Sequence, residues 1–340
     1  MERTGPTPAP RTNGHAAAPG AAPARVGPAP ERGAADPAAR RPRVLHLSQL
    51  LGEWEADATA AFDARTKGLL RGPITGLRGL DEALGGVLQP GLHVVHGGPG
   101  VGKTAWALQV AATCGFPALY VTAEMRPLEL LRRITARVTG TYLGRLKSGE
   151  LAPADSLAKA REAIAAVPGL ALADAGEAFA APEWLREAAR AVRGDERHVL
   201  LVVDSVHSWS EAAPVPELTE YDRLNAAIAE LRVLAGQLGC PVLAIAERNR
   251  ASMTAGGLSA SAGSRKFEYT GESVLDLSAA ERDAPGGALA PATPNETPVT
   301  LTIQKNRNGA AGRRLKLVFH GALQRFTDPA AGAPAGRPGM

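Results

Sequence analysis

The sequence predicts one α/β domain built on a mainly parallel sheet, and three observations point to it. Between the two chain ends, short apolar runs alternate with stretches of helical periodicity. Val199–Val203 is apolar without interruption, as a strand covered on both faces requires. A glycine-rich segment, residues 97–104, joins the β-like run Leu92–His96 to a helix opening at Lys103.

Taken in order, Leu50, Leu51, Trp54, Ala58, Ala61 and Phe62 mark one side of a helix over 48–66. Strand Leu92–His96 is followed by helix Lys103–Cys114, then strand Ala118–Thr122. Helices are expected over 127–139, 155–167 and 181–193, before the strand Val199–Val203. Leu224, Ile228, Leu231, Ala235 and Leu238 recur at helical spacing within 219–238, and Val242–Ala246 reads as a further buried strand. The remaining β-like segments are Val274–Leu277, Val299–Ile303, Leu315–Phe319 and Leu323–Phe326. With few helices between them, they predict an antiparallel extension at one sheet edge.

The 340 residues are 45% hydrophobic, enough for a packed domain although only 4% are aromatic. Nine of the 27 prolines fall in residues 1–43, so residues 1–45 read as a disordered tail, as do 329–340. Residues 46–70 read as a linker helix and 71–328 as the folded domain. Residues 1–43 hold seven Arg against Glu2, Glu31 and Asp36, a balance of +4 that equals the net charge of the whole chain. The folded part is therefore neutral, which argues against general affinity for polyanions while leaving room for a local basic patch. No apolar run of membrane-spanning length and no secretory leader are read. Cys114 and Cys240, far apart in apolar contexts, suggest buried thiols and a cytoplasmic setting.

Gly97-x-x-x-x-Gly102-Lys103-Thr104 is a complete Walker A pattern between a strand and a helix. Gly97, Gly98, Pro99, Gly100, Val101, Gly102, Lys103, Thr104 and Ala105 thus form the expected binding segment for ATP. The glycines let backbone N–H groups face the phosphates, and the helix start adds its positive end. Lys103 would reach the outer phosphates, and the Thr104 hydroxyl would hold Mg²⁺. Asp204, closing the strand Val199–Val203, is placed to share the Mg²⁺; a turn or cap aspartate is the plainer alternative. Glu124, just past Ala118–Thr122, can activate the attacking water, though alone it reads more readily as a helix-start glutamate before Pro127. His46, His93, His96, His198 and His207 form no metal-ligand spacing with the cysteines and read as structural.

These pieces, in this order, resemble the ATPase domain of DnaB-type replicative DNA helicases, within the RecA-like group of P-loop proteins. The resemblance begins at Thr75-Gly-Leu-Arg-Gly-Leu-Asp81, Gly85-Gly86 and Gln89-Pro-Gly91, and continues through Thr122-Ala-Glu-Met125 and Val202-Val-Asp-Ser205. It extends to Cys240-Pro-Val-Leu-Ala-Ile-Ala-Glu-Arg-Asn-Arg250, Gln304-Lys-Asn-Arg-Asn-Gly309 and Gln324-Arg-Phe326, spanning about 70–328. It implies that Glu124 is the catalytic base and that Lys305 and Arg307 reach the nucleotide of a neighbouring subunit, Arg307 as a finger. It also implies a homo-oligomer, a hexameric ring, moving on single-stranded DNA.

The chain departs from the family at three places. Glu247 stands where the family has a γ-phosphate-sensing glutamine, and a carboxylate there would repel phosphate. The family's Asp-Leu-Arg-Glu-Ser-Gly region is reduced to Gly263–Glu272, and a proline-rich tail stands where the N-terminal helical domain is expected. The Gly/Ser-rich loop 248–266 carries Arg248, Arg250, Arg265 and Lys266, which either line a pore and hold a nucleic-acid backbone or form a solvated loop. Helix 48–66 either packs on an adjacent protomer or on its own domain. The leading expectation is a DnaB-like helicase motor. Two alternatives stay open: a RadA- or KaiC-type ATPase without unwinding, and an ATP-binding accessory protein.

Overall fold

The computed structural model describes residues 44–247, 264–280 and 294–329, and these group into two compact units that divide at Ala56/Asp57. The division falls inside the first helix, α1 (Leu51–Lys67), which follows a 3-10 turn at Leu47–Leu50. Neither element has a buried residue: Trp54 is 77% and Phe62 69% exposed.

The second unit is organised by one sheet of nine strands among the described residues, ordered β3-β2-β4-β5-β1-β6-β7-β8-β9. These are β1 (Gly91–Gly97), β2 (Ala118–Thr122), β3 (Leu170–Asp174), β4 (Leu200–Asp204) and β5 (Pro241–Ile245), then β6 (Ser273–Ala279), β7 (Glu296–Asn306), β8 (Arg314–His320) and β9 (Arg325–Thr327). The first six are parallel and the last three extend the sheet antiparallel from β6. The mainly parallel sheet with its antiparallel edge is as the sequence predicts, with one addition. β3 has no counterpart in the expected elements, because Leu-Ala-Leu-Ala-Asp is short, alanine-rich and only half-buried at the sheet edge.

Two-residue periodicity divides the core into two faces. Leu200 and Val202 of β4 pack in one cluster with Trp106, Leu130 and Ile134. Leu201 and Val203 pack in the other with Leu185, Ile228 and Trp209. The first face is covered by α3 (Lys103–Thr113), α4 (Pro127–Thr139) and α6 (Pro153–Ala166), the second by α7 (Pro182–Arg193), α8 (Val206–Glu211) and α9 (Glu220–Leu238). Beyond β6 only one face is covered: Val299, Leu301 and Ile303 of β7 are buried while their alternates are not.

Local signals fix where the helices start and stop. Pro127, Pro153 and Pro182 open α4, α6 and α7 at the first turn, where a missing N–H costs nothing. The Thr219 hydroxyl accepts from the Asp222 N–H to cap α9, and Gly239 and Gly140 close α9 and α4 in the left-handed region. Short helices α2 (Arg78–Ala83), α5 (Leu143–Ser148) and α10 (Ser264–Thr270) complete the unit. Both cysteines are buried free thiols, and burial pushes Cys240 up to about 12. No helix among the described residues is long and apolar enough to cross a membrane.

Candidate active site

Parallel strands that share a register end together, and this brings the sequence-predicted residues to one edge. Thr122 of β2 pairs with Asp204 of β4, and Asp204 with Ile245 of β5, which in turn pairs with Val95 of β1. The residues that follow each strand, Glu124, Ser205 and Glu247, therefore emerge beside the loop that follows Gly97. Two glycines of that loop are required by their surroundings. A side chain at Gly97 would stand 2.5 Å from the Leu277 carbonyl oxygen, so β1 and β6 approach here as only glycine allows. Gly102, at φ 96°, caps α3, and a Cβ there would meet Phe326 at 2.9 Å.

Lys103 Nζ donates to the carbonyls of Gly97 at 2.9 Å and Gly98 at 3.0 Å. Its ammonium is pushed down by burial and pulled back by Glu247, Asp204 and Glu124, so all three carboxylates act on the one lysine. Beside the loop, Pro99, Val101, Val299 and Phe319 help line a cavity of about 350 Å³. Phe319 is itself stacked on Phe326, with ring centroids 4.5 Å apart.

Asp204 is 4% exposed, and its carboxyl is pushed up by burial. Hydrogen bonds from the Tyr120 hydroxyl, at 2.6 Å, and from Thr104 pull it back down. Among the described residues, no group of three or more His, Cys, Asp or Glu side chains stands ready to hold a metal alone. The Thr104 hydroxyl and Asp204 carboxylate are hard oxygen donors, near enough that Thr104 favours the charged carboxylate. Such a pair suits Mg²⁺, which keeps waters and takes phosphate oxygens as its remaining ligands. Glu124 is exposed, and its Oε1 accepts from the Ser208 hydroxyl at 2.9 Å.

Lys305 and Arg307 lie elsewhere. Gly97 pairs with Leu277 at one end of β6, whereas Lys305 pairs with Val274 and Asn306 with Ser273 at the other. Those three to four residues of β6 amount to about 10–13 Å along the strand. Within their own chain, Lys305 donates to the Tyr269 carbonyl at 3.2 Å, and Arg307 bonds the same carbonyl and Glu272 Oε1. Of the basic loop, Arg248 and Arg250 lie outside the described residues, and Arg265 falls within α10. Lys266 donates to the Asn225 carbonyl at 2.6 Å, which ties α10 to α9.

Three site residues escape sequence reading. Tyr120 and Ser208 bond the two carboxylates, and His207, read as structural from sequence, borders them. His207 Nδ1 accepts from the Glu247 N–H at 3.3 Å, and its ring feels both Glu247 and Glu124. The available signal was the spacing Asp204-Ser205-x-x-Ser208, a strand-end aspartate followed by a capping serine whose partner lies three residues on.

Comparison with known proteins follows the same lines. The family model "DnaB-like helicase C terminal domain" matches residues 72–328. A replicative DNA helicase DnaB from Treponema pallidum (strain Nichols) is 28% identical over 276 residues, covering 77% of this chain and 57% of the relative. The chain thus spans little more than half the length of that relative. Among solved structures, a DnaB-like replicative helicase, solved in a study of its interactions with primase, superposes with a TM-score of 0.66 at 17% identity, covering 84% of this chain and 67% of the other. A separately solved ATPase domain gives 0.66 at 18% identity over 81% and 97%. A KaiC-like protein from Pyrococcus horikoshii OT3 gives 0.51 at 18% identity over 76% and 98%. These likenesses show a RecA-like P-loop fold, and the family match is more specific: the chain belongs to the DnaB-like helicase C-terminal domain family.

Proposed function

We propose that this chain is a ring-forming motor ATPase, hexameric in the DnaB-type pattern, that hydrolyses ATP between neighbouring subunits and moves on single-stranded DNA as a helicase. The observation that carries this reading is the division of the chemistry between opposite ends of the sheet. Lys103, Thr104, Asp204 and Glu124 gather at the end of β1 where the loop lies, while Lys305 and Arg307 stand at the other. That separation supports a reading in which these cations serve a different nucleotide from the one their own loop holds.

In the resting chain the Lys103 ammonium is occupied by two loop carbonyls, and binding exchanges those oxygens for phosphate oxygens. The loop N–H groups and the start of α3 hold the phosphates by backbone dipoles. The apolar cavity beside Pro99 and Phe319 suits a planar base. Thr104 and Asp204 would hold Mg²⁺, which when bound neutralises phosphate charge. Glu124 orients the attacking water and takes its proton. A cationic Arg307 from the adjacent subunit stabilises charge on the transferring group only once the ring is closed. The basic segment around Arg248, Arg250, Arg265 and Lys266 is the stretch of chain we assign to the DNA backbone.

The test is ATP turnover of the purified chain with and without single-stranded DNA, and unwinding of a forked duplex by the same preparation. Stimulated turnover with strand separation is expected. Turnover indifferent to DNA, with no unwinding, would leave an ATPase of the RadA or KaiC kind or an accessory protein and overturn the helicase assignment.

A further inference from the structure

Helix α8 follows the Asp204 strand directly and is too short to be held by its own hydrogen bonds alone. Its N-terminal cap is Ser205, whose Oγ accepts from the Ser208 N–H at 3.3 Å. The same oxygen lies 3.1 Å from Ser208 Oγ, and Ser208 Oγ lies 2.9 Å from Glu124 Oε1. An ionised carboxylate only accepts, so the Ser208 hydroxyl must donate to Glu124 and the Ser205 hydroxyl must donate to Ser208. The order of donors along the three groups is thereby fixed. Ser205 is 2% exposed and anchored by the fold, whereas Glu124 is exposed and follows the end of β2. Among the described residues the Ser208 bond is the one hydrogen bond of the Glu124 carboxylate, and it leaves Oε2 open for water.

We propose that Ser208 is a positioning residue for ATP hydrolysis: its hydroxyl, backed by Ser205, holds the Glu124 carboxylate facing the attacking water. The inference rests on the reading of Glu124 as the base. In the step concerned, the water oxygen forms a new bond to the terminal phosphorus while the bond to the bridging β–γ oxygen breaks. One water proton passes to Glu124, and ADP and phosphate leave. Ser208 touches none of the reacting atoms and acts through the orientation of Glu124. His207, one residue before, accepts from the Glu247 N–H, so α8 is tied to the end of β5 as well as to Glu124.

The experiment measures steady-state ATP turnover and ADP affinity of the full chain for wild type, Ser208→Ala, Ser208→Thr and Glu124→Gln. Ser208→Ala keeps the backbone N–H that Ser205 caps, so the helix start survives. Its kcat is expected to fall about ten- to a hundred-fold, the loss of one hydrogen bond to a charged group felt in the transition state. KM for ATP and ADP affinity should stay within about two-fold of wild type, since no phosphate contact is lost. Ser208→Thr retains the hydroxyl and should recover most of kcat. Wild-type kcat in Ser208→Ala, or a threonine variant as slow as the alanine one, overturns the proposal while an inactive Glu124→Gln leaves the base assignment standing. Full turnover in Glu124→Gln removes the base assignment itself, and with it this inference.

Discussion

Tyr120→Phe isolates the hydrogen bond that holds the buried Asp204. The hydroxyl donates to Oδ2 at 2.6 Å, and the two residues are 0% and 4% exposed, so water cannot replace the lost donor. A hydrogen bond to a charged group contributes about 1.5–3 kcal/mol, and here the removed atom leaves little empty volume, so a loss of about 2 kcal/mol is expected. Losing that hydrogen bond also raises the Asp204 carboxyl further, since the bond favours the charged form. Burial already pushes that carboxyl above its ordinary 3.8, so its proton is held more tightly folded than unfolded. Its ionisation therefore costs stability as pH rises above that unfolded value, and the variant loses more than wild type. The gap between the two should be full near pH 7 and shrink as pH falls toward that ordinary value, where the folded forms are protonated. Urea unfolding of nucleotide- and magnesium-free protein at about pH 7 and about pH 5 reads this directly. Equal midpoints near neutrality, or a gap that does not narrow in acid, would refute the assignment of Tyr120 as the donor to an ionised Asp204.

Lys103→Ala and Arg307→Ala should each lower ATP turnover by about a thousand-fold or more, yet mixing them should restore part of it. Each assembly then contains intact sites built from one subunit's loop and the next subunit's cations; no recovery in mixed oligomers of verified composition sinks the division between subunits. Trp54→Ser and Phe62→Ser change side chains that are 77% and 69% exposed, so unfolding stability should move by less than about 0.5 kcal/mol. If α1 packs on an adjacent protomer, one of the two roles the sequence leaves open for this helix, the same variants should lower the assembled mass in sedimentation, and an unchanged distribution counts against that role. His93 bonds the Gln89 carbonyl through Nε2 at 2.7 Å and Ser273 Oγ through Nδ1 at 2.8 Å, and since a carbonyl only accepts, Nε2 is the donor. Burial pushes it below 6.5, so stability present above that value is lost in acid by up to about 1.4 kcal/mol per pH unit. His93→Gln should flatten that slope in pH-dependent urea melts, and a slope as steep as wild type would point to other groups.

What the sequence made legible follows from where local chemistry is decisive. The run Val199–Val203 and the Walker A spacing announce a buried strand and a phosphate loop because each needs residue types that few other structures need. Prolines at 127, 153 and 182 fix helix starts within a residue or two for the same reason. β3 escapes because its alanines carry little strand preference and its burial comes from β2 beside it, a tertiary cause. Tyr120 and Ser208 escape because their importance lies in what stands opposite them. Nothing in Leu-Tyr-Val-Thr says that a hydroxyl 84 residues from Asp204 will meet it; the β2–β4 register decides that. The separation of Lys305 and Arg307 from the loop is likewise a property of strand order, visible only once β6 is known to lie between β1 and β7.

The charge around Lys103 bears on the proposal that a neighbouring subunit completes the site. Glu124, Asp204 and Glu247 all act on one ammonium, so the site is already negative before any nucleotide enters. A triphosphate adds several negative charges, and a like-charge pair at 4 Å costs about 4 kcal/mol at an effective dielectric near 20. Solvent screens part of this at the exposed Glu247, but Asp204 is buried and screened least. Loop amides and the α3 dipole offset some of the rest, and so does the metal that Thr104 and Asp204 suit. Glu247, where the resemblance leads one to expect a glutamine, adds to the repulsion that a nucleotide meets. On the reading proposed above, Lys305 and Arg307 of a neighbouring chain would supply positive charge here; within their own chain they stand toward the other end of β6, with Arg307 bonded to Glu272. If the proposal holds, a solitary subunit should bind ATP more weakly and hydrolyse it more slowly than an assembled one, and turnover measured against protein concentration reads this directly.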